Sequence, residues 1–113
     1  MAEISQGTIN RIVQCYQELV RIINLEKSTE YKLFDEYNET QATINDLNAL
    51  STVATDATDN FTRLNTITIR IATIQPQVDA STATILEETI TLIETRIPAW
   101  LRSVEEIINN WSL

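Results

Sequence analysis

Apolar residues along the chain recur at alternating intervals of three and four, which gathers side chains on one face of an α-helix. The series begins with Ile9, Ile12, Tyr16, Leu19 and Ile23 and is widened by Val13, Val20 and Ile22. Ser5 or Thr8 stands where a capping residue belongs, so a first helix is predicted over about residues 5–27. A stripe this wide suits a helix with two packed neighbours, since a two-stranded zipper shows a narrower seam. At Glu26, Lys27 and Glu30 the seam turns charged. Ser28-Thr29-Glu30 offers a fresh cap with an acid in the turn that follows, and a break or bend is expected there.

The pattern resumes at Leu33, Phe34, Tyr37, Ile44 and Leu47, thins from Ser51 to Asn60, and returns at Phe61, Leu64, Ile67, Ile71 and Ile74. Neither Gly nor Pro interrupts it before Gln75-Pro76, where the residue ahead of the proline avoids the helical region. One long helix over 30–74 is expected, and the bundle gains a fourth helix if the Thr- and Asp-rich stretch breaks near 51–56. Thr66-Ile67-Thr68-Ile69-Arg70-Ile71 alternates as a half-buried strand would. Its only comparable partner, 88–97, is joined to it by no Gly-containing turn, so the segment reads as helix, with Ile69 off the seam.

The cleanest pattern lies in a third helix over about 79–111, capped by Asp79 or Ser81. Leu86, Ile90, Ile93, Ile97, Trp100, Val104, Ile107 and Trp111 fill its seam without a polar substitution, as in a coiled coil. Pro98 removes the donor to the Glu94 carbonyl, which predicts a kink that wraps 99–113 over its neighbours. The expected fold is an all-α single domain over 1–113, an up-and-down bundle of three long helices at about 5–27, 30–74 and 79–111. Such helices would be ~35, ~68 and ~50 Å long, so the middle one would outrun its partners and leave apolar stripe uncovered.

Composition narrows the classes further. With 43% apolar residues, one Gly and two Pro in 113 residues, the chain is too apolar for disorder and too poor in turn formers for a many-stranded fold. The net charge of -8 is spread evenly along the chain and repels phosphates, so nucleic acid is not expected as a partner. A single cysteine, Cys15, permits neither an internal disulfide nor a thiolate zinc site, which suits a reducing compartment. The start Met-Ala-Glu-Ile lacks the basic and apolar regions of an export signal. The longest uncharged stretch, Leu47 to Thr55, is far shorter than the ~20 apolar residues of a membrane span, and a cytoplasmic location is expected.

No catalytic, cofactor or metal site is expected. The absence of histidine removes the commonest general base, the His-dependent nucleophile systems and nearly all catalytic zinc sites. One glycine, Gly7, cannot build a phosphate loop. Lys27 and Lys32 read as solvated ammonium groups, and Cys15 reads as a small core hydrophobe. The adjacent pairs Asp35/Glu36, Glu87/Glu88 and Glu105/Glu106 diverge by ~100° on a helix and share no ligand. Glu26 and Glu30 stand one turn apart, but the Glu-x-x-His repeats that accompany such pairs in a di-iron bundle are absent.

The expected function is therefore a non-enzymatic helical protein–protein interaction or scaffold module that self-associates as a homo-oligomer. Its contact is expected in 99–113, through Trp100, Leu101, Val104, Ile107, Ile108 and Trp111, because Trp is enriched at interfaces and an apolar helix end is hard to cover within one chain. A small acidic chaperone or adaptor that masks a partner helix has the same features. A protein that lies on a lipid or granule surface is a weaker alternative, since the third helix lacks the Lys- and Arg-rich polar face such helices carry.

Overall fold

Ser5 opens the first helix, its Oγ accepting a hydrogen bond from the Thr8 amide at 3.2 Å and so satisfying one of the unpaired donors of the first turn. In the computed structural model, which describes residues 4–74 and 80–113, this helix, α1, runs unbroken from Gln6 to Tyr37. It is followed by α2 (Ile44–Ile74) and α3 (Ala80–Trp111), and no strand occurs among the described residues. The three helices have 32, 31 and 32 residues, which corrects the expected boundaries of 5–27 and 30–74 and the expected mismatch in length. Helices of ~48 Å fit the 54 Å long axis of the molecule, so each can cover the others from end to end.

The predicted break at 28–30 does not form, because helical position outweighs residue polarity there. The seam that α1 turns inward is Ile12, Cys15, Leu19, Ile22, Glu26, Thr29 and Leu33, and it keeps its three-four spacing through the two polar members. Thr29 Oγ1 donates to the Leu25 carbonyl at 2.7 Å, while Lys27 and Glu30 form an ion pair on the outer side. The chain turns instead after Tyr37. Asn38, with φ of 60°, donates its amide to the Phe34 carbonyl, an Asn serving as the left-handed residue that often ends a helix. Thr40 and Thr43 complete the turn. Thr43 Oγ1 accepts from the Thr40 amide at 2.9 Å and donates to the Asn38 carbonyl at 2.7 Å, and Thr40 Oγ1 accepts from the Ala42 amide at 3.2 Å.

The thin stretch of α2 remains helical, and no fourth helix arises at 51–56 among the described residues. Val53, Ala54, Ala57 and Asn60 are the buried positions there, whereas Ser51, Thr52, Thr55, Thr58 and Asp59 are exposed and Asp56 is half-buried. The strand-like run 66–71 is helical, with Ile69 exposed as its position off the seam predicts. Across the bundle the hydroxyls of Thr29, Thr52, Thr73, Thr84, Thr89 and Thr95 each donate to the carbonyl four residues back, so a Thr-rich helix leaves these groups satisfied. The stop at Gln75-Pro76 and the cap at Asp79 lie outside the described residues. In α3 the buried positions are Leu86, Thr89, Ile90, Ile93, Trp100, Val104 and Ile107, and the helix continues through the exposed Pro98 to Trp111. α3 packs against both α1 and α2.

Cross-helix contacts give the direction of each element. Arg11 near the start of α1 pairs with Glu87 at 2.8 Å and Glu94 at 2.7 Å in the first half of α3, and Tyr37 at the end of α1 packs on Trp111 at the end of α3. Those two helices run parallel. Tyr16 meets Phe61 and Asn65 in the second half of α2, and Trp111 Nε1 donates to Asp46 in the first turn of α2, so α2 runs against both. The result is the up-and-down bundle that the periodicity implies.

Glu26 is the exception within the core: it is fully buried and neither carboxyl oxygen has a hydrogen-bond partner. Burial first, then the neighbouring Glu30, pushes its carboxyl up to about 8, so it is mostly protonated at neutral pH. A folded-state value above the unfolded one means that the folded chain holds the extra proton between the two, so this group favours folding below about pH 4.5 and loses that effect as pH rises through about 8. Chemical denaturation of the wild type should show stability falling from pH 5 to pH 9, and Glu26→Gln should flatten that slope and be the more stable protein at pH 9.

Candidate interaction surface

The segment expected to carry the intermolecular contact is largely occupied within the monomer. Trp100, Val104 and Ile107 are buried in the core, Ile108 and Trp111 are half-buried against it, and Leu101 alone of the six is exposed. Trp111 clasps the lower end of the bundle. Its indole donates to Asp46 Oδ2 at 2.7 Å, its ring lies 4.8 Å from that of Tyr37, and its carbonyl accepts from the Tyr37 hydroxyl at 3.1 Å.

A different face is left open. At 3.6 residues per turn the inward seam of α1 covers one side of the helix, and a second apolar series lies roughly 100° round from it: Ile9, Val13, Tyr16, Val20, Ile23 and Phe34, with Lys27 and Glu30 completing the three-four spacing. Val20 is 54% exposed, Phe34 52% and the adjoining Tyr31 70%. Ile9 and Val13 are exposed as well, whereas Tyr16 and Ile23 lean against the core. The Tyr16 ring is held 4.8 Å from Phe61, and its hydroxyl donates to Asn65 Oδ1 at 3.3 Å, which fixes it at the seam between α1 and α2.

Three shallow clefts follow one another along this seam. The first, of about 590 Å³, is bordered by Tyr16, Val20, Arg21 and Phe61. The second, about 320 Å³, lies between Val20 and Lys27. The third, about 510 Å³, runs from Lys27 past Tyr31 and Phe34 to Ile44, Leu47 and Ser51 at the start of α2. Val20 borders the first two and Lys27 the last two, so the clefts form one groove. Its charged borders are Arg21, Lys27, Glu30 and Glu39, and the remaining polar ones, Gln17, Asn24, Asn48 and Ser51, are neutral.

The groove is lined mostly by apolar and neutral side chains. Its residues include no nucleophile beside a base, and the one thiol, Cys15, is buried in the inward seam, where desolvation pushes it up to about 11 and leaves it protonated. No group of three or more His, Cys, Asp or Glu side chains able to hold a metal ion occurs among the described residues. Nor is any described helix long and apolar enough to cross a membrane. Comparison of the chain with protein-family models, with curated proteins and with solved structures finds no match.

The sequence reading merges the two series into one wide core-facing stripe, with Ile9, Tyr16 and Ile23 beside Ile12 and Leu19 and with Val13, Val20 and Ile22 widening it. The signal that separates the two was present: Ile9-Val13-Tyr16-Val20-Ile23 and Ile12-Cys15-Leu19-Ile22 are each complete three-four series, interleaved on one helix. The division has a measurable consequence. Val20→Ser, on the open series, should change unfolding free energy by no more than about 0.5 kcal/mol, whereas Leu19→Ala, on the fully buried one, should cost about 2–5 kcal/mol in denaturant titrations.

Proposed function

We propose that this chain is a non-enzymatic helical protein–protein interaction module that self-associates, acting in the cytoplasm. The observation that carries the reading is the continuous apolar groove along α1 and α2, open over its length while the core behind it is closed. An exposed apolar groove with a polar rim is the kind of surface on which another molecule docks. The non-enzymatic part of the reading rests on the sequence, in which the lack of histidine and of a glycine-rich loop removes the usual acid–base and phosphate-binding devices. The exposed Leu101 lies on α3, outside this groove, and the rest of the 99–113 segment supports the module by closing the bundle.

Sedimentation equilibrium tests the proposal. The weight-average mass should rise above the 12.9 kDa of one chain as concentration increases from low micromolar to near-millimolar, and Val20→Glu should hold it at the monomer value with helicity unchanged. A wild-type protein that stays monomeric across that range would contradict self-association.

A further inference from the structure

Glu26 sits in the inward seam of α1 with both carboxyl oxygens unpaired, and no neighbour is arranged to hold it as an anion. Thr29, next along the seam, commits its hydroxyl proton to the Leu25 carbonyl at 2.7 Å. Lys27 pairs with Glu30 at 3.4 Å on the outer side, and Glu30 itself adds negative charge one turn away. Between the Tyr16–Phe61 contact and the Trp111–Asp46 contact, Glu26 stands at the height of about 50–54 in α2 and about 100–104 in α3. That stretch of α2 carries no charge, and the next acid along, Asp56, is half-buried; the stretch of α3 carries Arg102, which is exposed, and Glu105 and Glu106 beyond it are exposed too. An ionised Glu26 is thus relieved only by reaching water.

The two halves of α1 are held unequally. Before Glu26 the seam buries Ile12, Cys15, Leu19 and Ile22, and Arg11 is paired twice with α3. After it the helix buries Thr29 and Leu33, whereas Tyr31, Phe34 and Tyr37 are exposed, and the far end is tied by the Tyr37 ring and hydroxyl to Trp111. We propose that the last three turns of α1, 26–37, are a latch held by a proton: with Glu26 neutral they lie on the bundle, and when Glu26 ionises they detach while the rest of the bundle stays folded. A released stretch of about a dozen residues is below the length at which an isolated helix holds in water, so the segment unwinds as it leaves. The third cleft of the groove is walled on its α1 side by Lys27, Glu30, Tyr31 and Phe34, so it exists only while the latch is closed.

Opening lets Glu26 ionise at its ordinary value of 4.5, whereas burial in the closed bundle pushes it up to about 8. The open form therefore gains about tenfold per pH unit between those two values and gains nothing further above the upper one.

Amide hydrogen exchange of the full chain, followed by nuclear magnetic resonance from pH 5.5 to pH 7.5 and corrected for the intrinsic pH dependence of exchange, tests the latch. The amides of Leu33 and Phe34 should lose about a hundredfold in protection over that interval. At each pH they should exchange faster than those of Leu19 and Ile90 and respond less to added denaturant, as a local opening does. In Glu26→Gln and in Glu26→Met, neither of which can ionise at this position, the protection of Leu33 and Phe34 should stay level across the interval. Exchange of Leu33 and Phe34 at the same protection and denaturant dependence as Leu19 and Ile90 would mean that the bundle opens only as a whole, and would overturn the latch. Protection that does not change with pH in the wild type, or that falls alike in the wild type and both variants, would overturn it as well.

Discussion

A three-helix bundle gives each helix two neighbours, so a helix can hide only the arc that faces them. α1 carries more apolar surface than that arc holds, in two interleaved series, and burying one forces the other outward. The inward series includes Glu26 and the outward one includes Lys27 and Glu30, so neither choice is free of charge. Protonating a carboxyl at neutral pH costs roughly 1.4 kcal/mol per pKa unit, about 3 kcal/mol for an ordinary glutamate, which the burial of one or two leucines offsets. Leu19, Ile22 and Leu33 supply that burial on the same seam, and Glu26 enters the core neutral. The alternative rotation would bring Lys27 and Glu30 to the core together.

Contacts near the two ends of the bundle hold this choice in place. Near the start of α1 the guanidinium of Arg11 donates to both Glu87 and Glu94, which holds the Glu94 carboxyl below its ordinary range and keeps the arginine charged. At the other end Trp111, Asp46 and Tyr37 join all three helices through one indole hydrogen bond and one ring contact. Rotating α1 to bury its outer series would carry Arg11 and Tyr37 away from these partners. The exposed groove is thus a consequence of contacts made elsewhere in the bundle.

The parts of this arrangement that are legible in the sequence are those where residue type and position agree. In α3 every seam position is large and apolar, and the helix expected over 79–111 is found at Ala80–Trp111. The turn at 38–43 was missed because Asn38 and two threonines do the work usually signalled by Gly or Pro, through hydrogen bonds that composition does not reveal. The break expected at 28–30 rests on charge entering the seam at Glu26, Lys27 and Glu30, yet the burial of Glu26 depends on a proton that a sequence does not display. The weak middle of α2 holds because Val53, Ala54 and Ala57 are buried against the other helices, an effect of packing rather than of propensity. Trp100 is buried and Trp111 half-buried within the bundle, and size alone does not distinguish a core anchor from an interface anchor.

On the proposed reading, α1 presents one face to its own fold and another to a second molecule. Chemical shifts of the isoleucine, leucine and valine methyl groups, followed by nuclear magnetic resonance as the protein is diluted, address that claim directly. The methyl groups of Ile9, Val13, Val20 and Ile23 should move with concentration, while those of Ile12, Leu19 and Ile22, one residue away in sequence, stay fixed. Shifts confined to Leu101, Val104, Ile107 and Ile108, or the same movement in both series of α1, would contradict it.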